Sequence, residues 1–239
     1  METTFNHQEF LKNMEAFGLS CSEEQVASLE TYAKLLVEWN QKMNLTAITS
    51  PDGIAVLHFA DSLSFLSAFP LKGTEKVLDI GTGAGFPAIP LKIMNPTVSF
   101  TLMDSLNKRL TFLREVLNTL SLSATLLHSR AEEAARDKKM REQFDVVTAR
   151  AVASMEVLAE YALPYVKVGG HFVAMKGPSC PEELEKGANA IATLGGKVKT
   201  VVPFTLSDGS ARYIAIIEKV KKTPDVYPRH GSKIAKKPL

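Results

Sequence analysis

A carboxylate followed by three alternating glycines is the part of this sequence best suited to chemistry. Asp79 ends an apolar run of strand character, and Gly81, Gly83 and Gly85 follow it, with Phe86 directly behind. Glycines let a backbone approach a ligand without interference from Cβ atoms. The G-x-G-x-G spacing differs from the G-x-G-x-x-G of dinucleotide sites, which hold a pyrophosphate. A carboxylate before the turn can pair with the ammonium group of S-adenosylmethionine, so the pattern favours that cofactor; the alternative is a turn that binds nothing.

Further polar side chains follow the next two predicted strands, at the sheet edge where open α/β folds bind ligands. Asp104, with Ser105 beside it, lies 23 residues beyond Gly81, where a carboxylate can accept hydrogen bonds from ribose hydroxyls. Asp104 could also cap the following helix, and one residue could do both, but the ligand role is favoured. Ala131 and Glu132 follow the third strand and could reach an adenine, although an acid there also complements a helix dipole.

Two cations end the fourth and fifth strands and indicate the acceptor side of the site. Arg150 and Lys176 would flank one pocket, which fits an acceptor that carries phosphate. The alternative role for Arg150 is a surface ion pair. The fourth strand lacks the N-P-P-[YF] or D-P-P-[YF] run of enzymes that methylate exocyclic amines. Methylation of a pyrimidine C5 needs a cysteine nucleophile, and Cys180 is interpreted instead as a small loop residue.

The composition is that of an ordinary globular protein. The 239 residues are 45% hydrophobic and 23% charged. No apolar run reaches the roughly 18 residues that span a bilayer, and the first residues lack the pattern of a secretory signal. Cys21 and Cys180 lie too far apart for a metal or disulfide motif. We therefore expect a cytoplasmic monomer without a membrane partner or a metal.

The charge is unevenly distributed along the chain. Seven of the 28 basic residues and one of the 26 acidic ones lie from Lys219 onward. The preceding residues therefore carry 21 basic and 25 acidic side chains, a net charge of −4. Basic tails commonly bind polyanions through phosphate contacts. The alternative is a solvated, disordered end.

The apolar pattern of the first 70 residues predicts a helical extension. Apolar spacing predicts helices over residues 7–17, from a capping box at Ser22 and Gln25 to about residue 43, and over residues 53–68. Trp39 is interpreted as a core residue instead of a stacking platform for a base. His58 and Asp61 lie on one helix face, and a structural hydrogen-bonded pair is favoured over a catalytic one.

Residues 71–219 alternate between strand and helix patterns, which predicts an α/β fold with a mostly parallel sheet. A short link between the last two strands predicts an antiparallel hairpin at the sheet edge. Seven strands with this hairpin are the Rossmann-like architecture of class I methyltransferases. Residues 220–239 form the basic tail. The predicted strands are 76–80, 98–103, 124–128, 144–149, 171–176, 197–205 and 212–219, and the predicted helices between them are 87–94, 106–120, 132–140 and 155–165.

Longer motifs resemble one family over essentially the full chain: the glucose-inhibited division protein B family, the bacterial 16S ribosomal RNA guanine-N7 methyltransferases. The resemblance implies that Gly81, Phe86, Ala131-Glu132 and Arg150 contact S-adenosylmethionine, with Asp104-Ser105 nearby. It also implies that 16S ribosomal RNA or the small ribosomal subunit is the partner. The matching segments are 39–46 (WNQKMNLT), 58–62 (HFADS), 79–87 (DIGTGAGFP), 104–109 (DSLNKR), 129–132 (SRAE), 149–151 (ARA), 175–177 (MKG), 227–231 (YPRHG) and 236–238 (KKP).

The implied chemistry needs no general base. Guanine N7 has a lone pair and no proton, so it can attack the methyl group directly, and the enzyme contributes by positioning. Arg150 and Lys176 are the candidate catalytic residues in this sense. The candidate RNA contacts are Asn44, Arg150, Lys176, Arg212 and the basic tail.

Two other functions fit parts of the pattern. The chain could methylate a small molecule or a protein, with the helical extension as a lid. It could also be a nucleotide-binding regulatory module without catalysis. The basic tail and the two cations at the sheet edge favour RNA.

Overall fold

The computed structural model describes residues 4–239; residues 1–3, part of the segment searched for a secretory signal, lie outside it. The described residues form one seven-stranded sheet in the order β3-β2-β1-β4-β5-β7-β6. Strand β7 pairs antiparallel with both β5 and β6, and the other pairs are parallel. The predicted α/β fold of class I methyltransferases, with its edge hairpin, is therefore confirmed. The strands are β1 (Lys76–Ile80), β2 (Ser99–Asp104), β3 (Thr125–His128), β4 (Phe144–Arg150), β5 (Val166–Lys176), β6 (Gly196–Thr205) and β7 (Ala211–Lys219).

The strand order reverses at β1, which pairs with β2 on one side and with β4 on the other. Loops that leave the carboxyl ends of these strands run in opposite directions, and this opens a crevice for a ligand. The glycine turn follows β1, and Arg150 ends β4 beside it. The fold thus brings these two sequence features to the same edge.

Helices cover both faces of the sheet. Two of them, over Cys180–Thr193 and Gly231–Lys236, were not expected. Cys180 does not lie in a loop, as the sequence interpretation had it, because it begins helix α9 and is buried. The helix predicted over residues 132–140 is a single turn, α7, and β5 begins five residues earlier than expected. The helices are α1 (His7–Ala16), α2 (Glu23–Met43), α3 (Pro51–Gly53), a π-helix (Ile54–Ala60), α4 (Asp61–Ala68), α5 (Ala88–Met94), α6 (Asn107–Thr119), α7 (Ala131–Ala134), α8 (Met155–Ala162), a 3₁₀ turn (Leu163–Tyr165), α9 (Cys180–Thr193) and α10 (Gly231–Lys236).

The N-terminal helices share one hydrophobic core with a face of the sheet. The predicted capping box of α2 is present: Ser22 accepts from Gln25 N, and the Gln25 side chain accepts from Ser22 N. Trp39 packs on Phe112, with ring centroids 5.8 Å apart, as expected of a core residue. The third predicted helix is α3, the π-helix and α4 in succession. Such π segments occur often at functional sites.

The basic C-terminal segment is docked on the body of the protein. Arg229 forms an ion pair with Glu160 of α8, at 2.6 Å between Nη2 and Oε2, and Glu160 is fully buried. Arg141 donates to the carbonyl oxygens of Thr223 and Tyr227, both at 2.8 Å. The lysines of this segment from Lys221 onward stay exposed. The segment is therefore ordered, while most of its charge still faces solvent.

Across residues 4–239, no helix is both long enough and apolar enough to cross a membrane.

Loss of the Arg229 guanidinium should destabilise the protein, because the buried Glu160 carboxylate would lose its charge partner. We expect Arg229→Ala to lower the free energy of unfolding by about 3 kcal/mol, measured by urea denaturation. The exposed Lys236→Ala serves as control and should change it little. An Arg229→Ala variant as stable as the parent would contradict the docking of this segment.

Candidate active site

The glycine turn has a backbone that only glycine adopts readily. Gly81, Gly83 and Gly85 have φ angles of 64°, 61° and 102°. A Cβ atom on Gly85 would lie 2.6 Å from Cγ1 of Ile89 and 2.9 Å from the hydroxyl oxygen of Tyr32. The Tyr32 hydroxyl itself donates to the carbonyl oxygen of Ala84, at 2.5 Å. Helix α2 of the N-terminal segment therefore holds the turn in place.

The Asp79 carboxylate is fully buried, and neither of its oxygens has a hydrogen-bond partner in the described structure. Burial raises the pKa of Asp79 to about 8, although the Thr82 side chain and the charge of Arg150 act in the opposite direction. An unpaired buried carboxyl group is costly unless a ligand completes its hydrogen bonds. This environment fits a site that receives a cationic group.

A cavity of about 150 Å³ lies at the carboxyl ends of β1, β2 and β3. Asp104 lines this cavity. Its carboxylate accepts hydrogen bonds from Gly83 N and from Leu106 N, both at 2.9 Å, and lies 3.2 Å from Arg109 Nη1. Asp104 thus orders both the turn and the start of α6. The cavity brings together the sequence-predicted residues Gly81, Asp104, Ser105, Ala131 and Glu132, next to Ile80, Met103, Ser129, Arg130, Val152 and Tyr161.

Five predicted cofactor residues lie behind or beside the wall of this cavity, Arg150 among them. Asp79, Gly83 and Gly85 do not line the cavity and shape the turn from within. Phe86 is only 6% exposed and packs against the imidazole of His58, with ring centroids 4.3 Å apart at an angle of 10°. The guanidinium carbon of Arg150 lies 4.9 Å from the centre of the same Phe86 ring.

A second cavity, of about 700 Å³, adjoins the first, and Val152 lines both. The predicted cations Arg150, Lys176 and Arg212 all line it. The larger cavity can hold a group the size of a nucleobase, and its border with the smaller one provides a place where two reactants could meet.

Asp61 joins two of these cations. Its Oδ2 lies 2.7 Å from Arg150 Nη1, and its Oδ1 lies 3.2 Å from Arg212 Nε. Arg150 also donates to the carbonyl oxygen of Leu57 in the π-helix, at 3.1 Å. Arg150 is therefore in a largely buried ion pair, not in the surface ion pair considered as an alternative.

The expected pairing of His58 with Asp61 is wrong. His58 Nε2 instead contacts the Thr46 hydroxyl, at 2.9 Å, because Asp61 is already engaged by the two arginines. Burial, followed by the charge of Arg150, lowers the pKa of His58 to about 3. His58 is therefore a neutral side chain of the larger cavity at physiological pH.

Lys176 is less available to a substrate than the sequence suggests. Its amine donates to the Ala153 carbonyl and to Oε2 of Glu183, both at 2.6 Å. Glu183 also accepts from Met155 N, at 3.0 Å. These contacts tie the loop after β4 to α9, so Lys176 braces the cavity wall, and its catalytic role stays a prediction.

Asn44 is not brought to either cavity. It ends α2 in a left-handed conformation, with φ of 48°. Its contact with substrate stays a prediction, and its position away from both cavities does not support it.

The sequence did not identify Val152 as a residue that lines both cavities. It predicted that His58 and Asp61 bond to each other, whereas both line the larger cavity. The H-x-x-D spacing was the available signal for these two residues.

Comparison with solved structures agrees with the fold. The chain resembles TrmN from Thermus thermophilus with a TM-score of 0.53 and 19% identity, covering 66% of this chain and 48% of that one. It resembles NSun6 from Pyrococcus horikoshii with a TM-score of 0.55 and 15% identity, covering 70% and 53%. At such identities the likeness concerns the fold alone.

Comparison of sequences is more specific. A relative named Ribosomal RNA small subunit methyltransferase G from an Exiguobacterium species is 49% identical over 236 residues, which covers 98% of this chain and 99% of the relative. A relative of the same name from Lactobacillus johnsonii is 48% identical over 238 residues, covering 98% and 100%. The family model described as rRNA small subunit methyltransferase G matches residues 25–211. The chain belongs to the rRNA small subunit methyltransferase G family.

Proposed function

We propose that this protein transfers a methyl group from S-adenosylmethionine to N7 of a guanine in 16S ribosomal RNA, in the bacterial cytoplasm where that RNA is found. The observation that carries the proposal is the pair of adjoining cavities, which meet at Val152. Family membership supports the methylation of ribosomal RNA. The choice of guanine N7 rests on the motifs quoted above and on the chemistry of the larger cavity.

The side chains that line the smaller cavity suit the nucleoside part of S-adenosylmethionine, although the whole cofactor is larger than the 150 Å³ of that cavity. When bound, this cofactor supplies an electrophilic methyl group on a sulfonium sulfur. We expect the Asp104 carboxylate to accept from ribose hydroxyls, and its fixed position, set by two backbone N–H groups, supports this role. Ala131 and Glu132 line the far side, where an adenine is expected. The buried Asp79 carboxyl is suited to compensate the positive charge of the amino acid portion.

The larger cavity fits a base that carries phosphate groups nearby. Arg150 and Arg212 approach it from different strands, and Asp61 fixes both guanidinium groups. Two fixed arginines can orient a guanine edge or a phosphate. Orientation of this kind can contribute roughly 7–11 kcal/mol to a reaction between two bound groups.

The side chains of the larger cavity do not favour a mechanism with a general base. A base works best when its pKa lies near the working pH, whereas the pKa of His58 is about 3. Asp61 is held in ion pairs with Arg150 and Arg212, and Glu183 is held by Lys176. An acceptor atom with a lone pair and no proton, such as guanine N7, suits this environment.

The function is tested by the methylated nucleoside itself. Small ribosomal subunits from a strain that lacks this protein would be incubated with purified protein and S-adenosylmethionine, then digested and analysed by mass spectrometry. We expect one new 7-methylguanosine per subunit and no new methylated adenosine or cytidine. Transfer to a protein or a small molecule, with no methyl group reaching RNA, would contradict the proposal.

Cofactor binding should release a proton from Asp79. At pH 7 a carboxyl group with a pKa of about 8 is mostly protonated, and pairing with a cation lowers that pKa, so binding should expel roughly one proton. The affinity should therefore rise with pH up to about 8. Calorimetry of S-adenosylhomocysteine binding in buffers of different ionisation enthalpy measures the proton count.

In Asp79→Asn the released proton should disappear, whereas the exposed Asp225→Asn should behave as the parent does. An equal proton count in the parent and in Asp79→Asn would contradict the role of this carboxyl group.

Asp61→Asn should slow methyl transfer more than it weakens cofactor binding. The amide cannot balance two guanidinium charges, so Arg150 and Arg212 should leave their fixed positions. A misplacement of about 1 Å can cost on the order of a hundredfold in rate, and we expect a loss of this size in kcat/KM for ribosomal RNA. Binding of one S-adenosylhomocysteine per protein would show that the variant is folded.

Asp225→Asn again serves as the control, with methylation at the parent rate. If Asp61→Asn also methylates at the parent rate, Asp61 does not position the acceptor site.

A further inference from the structure

The C-terminal segment meets the wall of the smaller cavity at one point. A Cβ atom built on Gly231 would lie 2.1 Å from Oε1 of Glu132 and 2.9 Å from its Cδ atom. The Glu132 carboxylate therefore lies directly against the bare Cα atom of Gly231. Glu132 belongs to α7 and lines the cavity, whereas Gly231 begins α10, about a hundred residues later in the chain.

Gly231 is held in this place from both sides. Two residues before it, Arg229 is fixed by Glu160 through its side chain and also through its backbone N–H, at 2.6 Å to Oε1. Three residues after it, Ile234 is fully buried. Pro228 is held as well, since its carbonyl oxygen accepts from Arg136 Nη2 at 2.6 Å. The backbone at Gly231 cannot easily withdraw from Glu132.

The other side of the Glu132 side chain is the cavity. Glu132 is 9% exposed, and Tyr161 of α8 and Arg130 line the cavity beside it. A methyl group at residue 231, as in Gly231→Ala, would overlap the end of the Glu132 side chain. That flexible side chain would have to move, since the anchored backbone resists displacement. Because Glu132 lines the cavity, this movement would change the cavity wall.

We infer that Gly231 is a positioning residue for cofactor binding. The docked C-terminal segment packs against the Glu132 carboxylate at Gly231 and so sets its position. The inference rests on the proposed function, because it requires that Glu132 faces the cofactor. It gives the segment a role at the methyl-donor side of the enzyme that is separate from any contact of its exposed lysines with RNA.

The experiment is a double-mutant cycle on binding, read by calorimetry with S-adenosylhomocysteine as the probe. The four proteins are the parent, Gly231→Ala, Glu132→Ala and the double variant. Gly231→Ala should raise the dissociation constant about tenfold, the effect of one displaced charged hydrogen-bonding group. In the Glu132→Ala background the same substitution should have no further effect. Ala235→Ser, at an exposed position of α10, is the control and should bind as the parent does.

The outcomes separate the two proposals. If Glu132→Ala binds the probe as tightly as the parent, both the placement of Glu132 at the cofactor and this inference are overturned. If Glu132→Ala weakens binding but Gly231→Ala does not, only the inference is overturned. An equal loss from Gly231→Ala in both backgrounds would also overturn it, because the substitution would then act without Glu132.

A second variant covers the case in which Gly231→Ala does not fold. Arg229→Lys keeps the charge beside Glu160 but loses the paired hydrogen bonds, so it should loosen the segment only partly. We expect a several-fold weaker binding of S-adenosylhomocysteine that again vanishes in the Glu132→Ala background. Faster proteolysis of Arg229→Lys would show that its C-terminal segment is loosened. If that variant still binds S-adenosylhomocysteine as the parent does, Gly231 does not position Glu132.

Discussion

The ion pairs of the Asp61 carboxylate are the interaction on which the larger cavity depends. The carboxylate lies where the π-helix gives way to α4, and it binds one arginine from the end of β4 and another from β7. These partners are 89 and 151 residues away in the chain. The pair with Arg150 is largely buried, so removal of one partner would leave a buried charge without compensation. One side chain thus fixes the helical segment, both arginines and the shape of the larger cavity.

The smaller cavity is organised on the same principle. The glycine turn is held from the helical segment by the Tyr32 hydroxyl and from β2 by the Asp104 carboxylate. Both contacts reach backbone groups of the turn, whose conformation follows from its glycines. The N-terminal helices are therefore part of the framework of both cavities. An enzyme whose contribution is the alignment of two bound groups needs this rigidity more than it needs a titrating side chain.

The fold could be predicted from the sequence because its signals are local. All seven strands follow from apolar runs between turn residues, and the short link between β6 and β7 indicates the hairpin. Helix α9 was missed although Glu182 and Glu183 mark its first turn. The reason is that its start, Cys180-Pro181, resembles a loop. The end-of-strand rule placed Asp104, Glu132, Arg150 and Lys176 at the correct edge of the sheet.

The partners of these side chains could not be predicted in the same way. The engagement of Lys176 by Glu183, the bridge at Asp61 and the docking of Arg229 on Glu160 are side-chain pairings that no local pattern records. These pairings decide which cations remain available to a substrate. The sequence therefore indicates where the site lies, and the three-dimensional structure is needed to separate residues that hold the site from residues that can meet a ligand.

In the proposed mechanism, methyl transfer proceeds by alignment of the acceptor, without removal of a proton. The most direct test is the pH dependence of a single turnover on small ribosomal subunits, with protein and S-adenosylmethionine both saturating. We expect a rate that stays constant from about pH 6 to about pH 8.5, since neither guanine N7 nor His58 changes protonation there. A rate that rises about tenfold per pH unit over part of that range would reveal a required base and contradict this mechanism.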